Sequence, residues 1–169
     1  ALDQLKAPGH WVPKDHLRIP VLSAFSAIAR ESIQHELDEK LELGFRTFKI
    51  KVGKDVIADV ERVRIIQDTL GQDGTIRVDA NRAYSVLDAI ELSQVLDPAV
   101  CELLEQPCDT CDWDGNGEVA KASPVPLMLD EPICSIQDIE RASTMPGVGF
   151  CKVKLKRFGS LTNLCHAIE

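Results

Sequence analysis

The sequence lacks the features that would place the protein in a membrane or on a nucleic acid. No apolar run is long enough to span a bilayer, and the N-terminal residues do not show the pattern of a secretory signal peptide. Positive charge is also outnumbered, because 19 lysines and arginines face 27 acidic residues, and the formal net charge of -8 argues against a nucleic-acid-binding surface. We therefore expect a cytoplasmic protein with neither nucleic-acid nor membrane partners.

The six cysteines lack the spacing of a zinc site. Cys108 and Cys111 form a C-x-x-C pair, but no second pair or histidine follows at the separation that zinc ligands need. Reduced cysteines of a cytosolic protein are the favoured interpretation, and a zinc site is the alternative.

A clear domain boundary is also missing, and 169 residues are enough for one domain with a real core. Residues 1–17 are mixed in composition and predict an N-terminal tail or the remnant of another element. Beyond them, short apolar runs alternate with helical patterns, which predicts an α/β fold with a parallel sheet covered by helices. The predicted strands cover residues 18–25, 46–52, 75–79, 100–105, 126–130 and 149–155.

Helix boundaries follow from capping residues and apolar spacing. The first helix is predicted from Ile28, Ile33, Leu37 and Leu41 on one face, ending at Gly44. Further starts are predicted at Asp55, Ser85, Ser135 and Ser160, with a loop over residues 108–117 leading to a short helix.

Two lysines on the second predicted strand are the first candidates for chemistry. Lys49 and Lys51 alternate with apolar residues and should project from one face of the strand. Adjacent ammonium groups repel, so one should lose its proton more easily than a free lysine does. Lys51 is therefore a candidate base near neutral pH; a solvated edge strand with two lysines is the alternative.

Charged residues end the predicted strands at nearly constant intervals. Lys51, Asp79, Glu105, Asp130 and Lys154 are separated by 28, 26, 25 and 24 residues, each about one strand, one helix and two loops. Their side chains should emerge at one edge of the sheet, the C-terminal edge where α/β folds place their sites. Three carboxylates there would repel unless a cation lay between them, and all-oxygen ligands favour Mg²⁺, with Mn²⁺ second. Helix caps or loop salt bridges are the alternative.

Five short motifs occur in order and at matching spacing, and through them the chain from about Arg18 onwards resembles the mandelate racemase and muconate lactonizing group of the enolase superfamily. The motifs are FKIK (48–51), VDAN (78–81), LEQP (104–107), LDEP (129–132) and VKLKRFG (153–159). The resemblance implies an eight-stranded (β/α)₈ barrel with a capping domain. We expect residues 18–169 to form part of that barrel, about six parallel strands with outer helices. Residues 1–17 would be a remnant of the cap, and the cap itself and the last strands would be absent.

The resemblance also implies roles for individual residues. Asp79, Glu105 and Asp130 would bind magnesium, and Asn81 would orient these ligands. The group's usual glycine pair after the sixth-strand lysine is here Gly159-Ser160, a departure in the loop near the substrate.

The lysines would carry the proton transfer. Lys51 would be the base on one face of the substrate and Lys154 the acid or base on the other. Lys49 would lower the pKa of Lys51 and help to hold the substrate carboxylate.

The implied activity is magnesium-dependent abstraction of the proton α to a carboxylate, giving an enediolate. Racemisation or epimerisation, dehydration or cycloisomerisation would follow. The implied partners are a small carboxylate substrate, of amino-acid or proline-betaine type, and further copies of the chain in a homo-oligomer. The alternatives are a catalytically incomplete fragment that acts as a binding or assembly module, and an unrelated phosphate-binding (β/α)₈ enzyme.

Overall fold

The computed structural model describes residues 20–168, and these form a six-stranded sheet in which every strand pairs in parallel with the next along the chain. The strands are β1 (Ser23–Phe25), β2 (Thr47–Lys51), β3 (Thr75–Asp79), β4 (Cys101–Glu105), β5 (Leu127–Leu129) and β6 (Val148–Cys151). The helices are α1 (Arg30–Glu42), α2 (Val56–Leu70), α3 (Val86–Ser93), α4 (Trp113–Ala122), α5 (Ile136–Ser143), α6 (Leu155–Phe158) and α7 (Leu161–Ile168). The predicted α/β fold with six parallel strands is confirmed. The tail predicted over residues 1–17 lies outside the described residues.

Strand register brings the charged strand ends to one edge of the sheet. Lys51 pairs with Asp79, and Asp79 in turn pairs with Glu105. Glu105 pairs with Met128, so Asp130 follows two residues beyond that level on the next strand. The common edge predicted from the spacing is therefore present.

Alternation along β2 separates the core from the site. Phe48 and Ile50 are fully buried, whereas Lys49 and Lys51 project from the opposite face of the strand. On the helical side, α2 contributes the buried side chains of Val63 and Ile66 to the same core. The apolar side chains of β2 thus pack the sheet against its helices. The two lysines lie on the face of the sheet that points away from these helices.

The predicted caps hold the helices in place. Asp55 accepts a hydrogen bond from the backbone N–H of Ala58, and Gly71 ends the same helix with a φ of 53°. Ser85 and Ser135 accept the corresponding bonds from Asp88 and Asp138. Within residues 20–168, no helix combines the length and apolarity that crossing a membrane requires.

Several predicted boundaries were wrong. Residues 20–22 fall within the first predicted strand, but β1 begins only at Ser23. Ile28 lies before α1 and is 73% exposed, because the helix starts only after Ala29. Helix α4 begins inside the predicted loop, because Asp112 accepts a hydrogen bond from Gly115 and caps it there. The sixth strand ends at Cys151 rather than at residue 155, and α6 follows almost at once, so Lys156 lies on a helix.

Candidate active site

Three buried carboxylates form the floor of the site at the carboxyl ends of β3, β4 and β5. Asp79, Glu105 and Asp130 are each at most 3% exposed. Carboxylates this far from water need positive charge or hydrogen-bond donors close by. The chain supplies both, mainly from lysines on neighbouring strands.

Lys49 joins the first two carboxylates. Its Nζ atom lies 2.7 Å from Oδ2 of Asp79 and 2.8 Å from Oε2 of Glu105. Burial alone would lower the pKa of Lys49, but the hydrogen bonds and negative charges of the two carboxylates outweigh burial and raise this pKa well above its usual value. Lys49 is therefore a fixed cation between Asp79 and Glu105.

Lys152 completes the surroundings of Glu105, with its Nζ atom 2.5 Å from Oε1. Lys152 falls within the predicted sixth strand, and no function was predicted for it. It follows the end of β6, and its backbone N–H donates to the carbonyl of Leu129 at 2.8 Å, which extends the strand pairing by one residue. Glu105 thus faces one ammonium group on each oxygen.

Asp130 is held by a lysine and an arginine. Nζ of Lys154 lies 2.7 Å from its Oδ2 atom, and Nη1 of Arg157 lies 2.8 Å from its Oδ1 atom and also donates to the Asp130 backbone carbonyl. Burial alone would raise the pKa of Asp130, but these two cations hold it below its usual value. No role was predicted for Arg157. Its role depends on helix α6, one turn long, which turns Arg157 back towards Asp130 at the end of β5. No residue pattern predicted that helix.

Lys51 lies at the open side of the site. Its side chain is 68% exposed, and its Nζ atom donates to Oδ1 of Asn81 at 2.6 Å, while Oδ2 of Asp79 is 3.9 Å away. The backbone N–H of Asn81 donates to Oδ1 of Asp79 at 3.0 Å. Asn81 therefore contacts both a predicted ligand and a predicted base. A cavity of about 600 Å³ opens beside Lys51, between the ends of β1 and β2.

Gln106 is a structural residue of the site that the sequence reasoning missed. It is fully buried and has a positive φ of 38°. Its Oε1 atom accepts from the backbone N–H of Asp130 at 2.8 Å, and its Nε2 atom donates to the carbonyl of Cys108. Its place directly after a predicted ligand, and before Pro107, was the available signal.

The oxygen atoms of the three carboxylates are ligands that suit a hard cation. In this structure lysine and arginine side chains neutralise the carboxylates. Among residues 20–168, no three histidine, cysteine, aspartate or glutamate side chains gather closely enough to hold a metal ion. The ammonium group of Lys49 lies between Asp79 and Glu105, which shows that these two carboxylates can share one cation. Oxygen ligands on adjacent strand ends match magnesium chemistry, and the magnesium assignment stays a prediction.

Comparison with known proteins defines the class. Residues 32–169 match the family model described as enolase C-terminal domain-like. The chain belongs to this family, and the resemblance drawn from the five motifs is confirmed. The alternative of an unrelated phosphate-binding barrel is not supported.

Individual relatives fall within the same superfamily. The chain is 36% identical over 123 residues to a hydrophobic dipeptide epimerase of Enterococcus faecalis, which covers 73% of this chain and 35% of that protein. It is 30% identical over 154 residues to muconate cycloisomerase 1 of Acinetobacter baylyi, covering 90% of this chain and 42% of that protein.

A solved structure shows the same arrangement of strands and helices. The dipeptide epimerase of Cytophaga hutchinsonii, complexed with Mg and the dipeptide D-Ala-L-Val, matches with a TM-score of 0.80 at 28% identity. The match covers 92% of this chain and 42% of that one. The chain thus spans less than half the length of these relatives.

Proposed function

We propose that the protein abstracts the proton α to a substrate carboxylate with the help of magnesium. One observation carries the proposal: Lys51, on β2, and Lys154, just after β6, lie at the strand edge that also holds three buried carboxylates on β3, β4 and β5. This reaction needs lysines that can exchange protons and, beside them, carboxylates that could hold a cation.

Asp79, Glu105 and Asp130 would hold the magnesium ion. When bound, the ion would supply positive charge to the substrate carboxylate, where negative charge grows as the α-proton leaves. Asn81 would keep Asp79 in place through the bond from its backbone N–H. Lys49, Lys152 and Arg157 neutralise the carboxylates in this structure, which keeps three buried acidic groups together at one edge.

The two proton-transfer lysines would work on opposite faces of the substrate. Strands β2 and β6 are four positions apart in the sheet order, so in an eight-stranded ring they would stand across from each other. A planar enediolate between them would expose one face to Lys51 and the other to Lys154. Racemisation or epimerisation requires the proton to leave from one face and return to the other.

Amino-acid derivatives are the substrate class that we favour. The relatives include D-Ala-D/L-Ala epimerase of Cytophaga hutchinsonii and N-succinylamino acid racemase of Amycolatopsis, at 33% and 35% identity. Proline-betaine-type carboxylates remain within the proposal. Cycloisomerisation is the second candidate, because muconate cycloisomerases match at similar identity.

A panel of substrates in heavy water tests the proposal directly. The full-length protein is incubated in D₂O with Mg²⁺ and alanyl dipeptides, N-succinyl amino acids, proline betaine or muconate, and the α-proton signal is followed by NMR. We expect magnesium-dependent loss of that signal for an amino-acid derivative, and epimer formation at a comparable rate. If no compound exchanges or reacts with magnesium present, a binding or assembly module becomes the better account.

The cellular setting belongs to the proposal too. We infer a cytoplasmic homo-oligomer that takes a small carboxylate as its substrate. Light scattering of the purified full-length protein would give the number of subunits.

A further inference from the structure

Helix α2 contacts the backbone at the candidate base Lys51 and directly after it. Arg62 donates from Nη1 to the carbonyl of Lys51 at 2.8 Å and from Nε to the carbonyl of Ala27 at 2.8 Å. Its Nη2 atom lies 3.5 Å from the carbonyl of Phe25. One guanidinium group therefore ties the carboxyl ends of β1 and β2 together, using the fork of donors that distinguishes arginine from lysine.

Asp59, one turn earlier on the same helix, holds the segment that follows Lys51. Its Oδ2 atom accepts hydrogen bonds from the backbone N–H groups of Gly53 at 2.8 Å and Lys54 at 3.2 Å. The hydroxyl of Tyr84 donates to the same oxygen at 2.7 Å. Asp59 is buried, at 8% exposure, so these three donors satisfy a carboxylate that has little access to water.

The held segment packs closely against the loop after β3. Gly53 has a φ of 114°, and a Cβ atom at this position would lie 2.4 Å from the Cβ of Ala83. Between the two contacts from α2, the N–H of Val52 donates to the carbonyl of Asp79 at 3.0 Å. The backbone is therefore fixed at three consecutive residues, beginning with the carbonyl of Lys51.

Tyr84 stays a hydrogen-bond donor under ordinary conditions. Burial, and then its hydrogen bond to Asp59, raise the pKa of the Tyr84 phenol well above its usual value. The Tyr84 hydroxyl thus links the loop after β3, which carries Asn81, to the loop after β2. Asn81 is also the side chain that the Nζ atom of Lys51 contacts, so the loop after β3 touches Lys51 as well as Asp59.

We propose that Asp59 and Arg62 are positioning residues that aim Lys51 at one face of the substrate. The inference rests on the proposed function and deepens it, since it assigns to helix α2 a role in only one of the two proton transfers. Lys154 lies after β6 and contacts Asp130, so its placement does not depend on these contacts. Disturbing the α2 contacts should therefore slow exchange on the Lys51 face alone.

The expected size follows from the geometry of proton transfer. A misplacement of about 1 Å can cost about 10²-fold in rate, because the reacting atoms must lie within hydrogen-bond reach. We expect Arg62→Gln to slow α-proton exchange at least about tenfold for the stereoisomer whose proton faces Lys51, and less than about twofold for the other. Arg62→Lys, which can still reach one carbonyl, should fall between Arg62→Gln and the wild type.

The experiment compares both stereoisomers in the same variants. The full-length protein is incubated in D₂O with Mg²⁺ and, separately, each stereoisomer of whichever alanyl dipeptide or N-succinyl amino acid exchanges fastest in the wild type. Arg64→Gln is the matched control, because Arg64 lies on α2 two residues away and is exposed. Tyr84→Phe removes a single hydrogen bond to Asp59 and serves as the mild variant if Arg62→Gln does not fold.

The outcomes separate the positioning role from the proposed function. Slowing confined to the stereoisomer that Lys51→Ala also affects, with Arg64→Gln unchanged, supports the positioning role. Equal slowing of both stereoisomers in Arg62→Gln, or in Tyr84→Phe if Arg62→Gln does not fold, overturns it and leaves a general structural role for α2. If the variant that is measured, Arg62→Gln or its substitute Tyr84→Phe, slows exchange of neither stereoisomer, the positioning role is overturned as well. If the wild type exchanges no α-proton, the proposed function fails, and the positioning role fails with it.

Discussion

The Nζ atom of Lys154 lies 2.7 Å from Oδ2 of Asp130, so a candidate proton-transfer residue and a candidate magnesium ligand form an ion pair. Arg157 holds the other carboxylate oxygen of Asp130 at 2.8 Å. Asp130 therefore keeps one cation even if Lys154 turns towards a substrate. This arrangement lets the lysine move without leaving a buried carboxylate unpaired, which would be costly.

Magnesium binding provides the first prediction. Asp130→Asn should weaken magnesium binding at least about tenfold, because the amide loses the negative charge that a hard cation favours. Isothermal calorimetry with MgCl₂ on the full-length protein measures the effect. Asp68→Asn is the control, since Asp68 is exposed on α2 and does not lie at the strand edge that carries the three carboxylates. Equal affinity in both variants would count against the metal assignment of Asp130.

Helix α3 offers a matched pair for the core. Leu92 is fully buried, whereas Leu87 on the same helix is 79% exposed. Leu92→Ala should lower the free energy of unfolding by about 2–5 kcal/mol, because it removes buried methyl groups and leaves a cavity. Leu87→Ala should change it by about 0.5 kcal/mol or less. Urea unfolding of both variants checks the packing of this helix, and similar losses would show that α3 does not pack as described.

Glu36 gives a stability change that depends on pH. Its carboxylate accepts from the backbone N–H groups of Ala27 and Ser26 and pairs with Lys40 at 2.9 Å. Burial alone would raise the pKa of Glu36, but the bond from Lys40 and the two backbone bonds hold it below its usual value.

Because the pKa of Glu36 is lower in the folded than in the unfolded protein, its stabilising effect is complete above the unfolded value of about 4.3 and is lost as the pH falls through the folded value. Glu36→Gln should therefore destabilise the protein at pH 7 and have a smaller effect at pH 3. Thermal unfolding at both pH values provides the test. A destabilisation that is the same at both would mean that the ionised carboxylate contributes nothing.

Much of the fold could be predicted because the capping residues and the spacing of the strands in the sequence match the helices and the sheet of the structure. Asp55 and Gly71 define the ends of α2 through capping chemistry that depends on neighbouring residues alone. The regular interval between charged strand ends reflects the repeating strand and helix unit, and the register Lys51–Asp79–Glu105 follows from it. The end of β6 could not be predicted in the same way. Lys152 and Lys154 alternate as on a strand, but the chain turns into α6 where Arg157 meets Asp130, a contact between residues far apart in sequence.

The candidate site could likewise be predicted in part. The residue types and their common edge could be read from spacing, whereas the partner of each charge could not. Lys49 was expected beside Lys51, yet its Nζ atom lies between Asp79 and Glu105. The pairing of each carboxylate oxygen with an ammonium group depends on the directions of the side chains, and the sequence pattern does not contain these directions.

Deuterium exchange in the single-lysine variants Lys51→Ala and Lys154→Ala tests the central claim most directly. Each full-length variant is given each stereoisomer of the fastest-exchanging substrate in D₂O with Mg²⁺, and the α-proton is followed by NMR. We predict that both variants lose turnover by about 10²-fold or more, the usual contribution of a proton-transfer residue. Each should still exchange the α-proton of one stereoisomer, a different one for each variant. Full racemisation, epimerisation or elimination activity in either variant would contradict the two-lysine account.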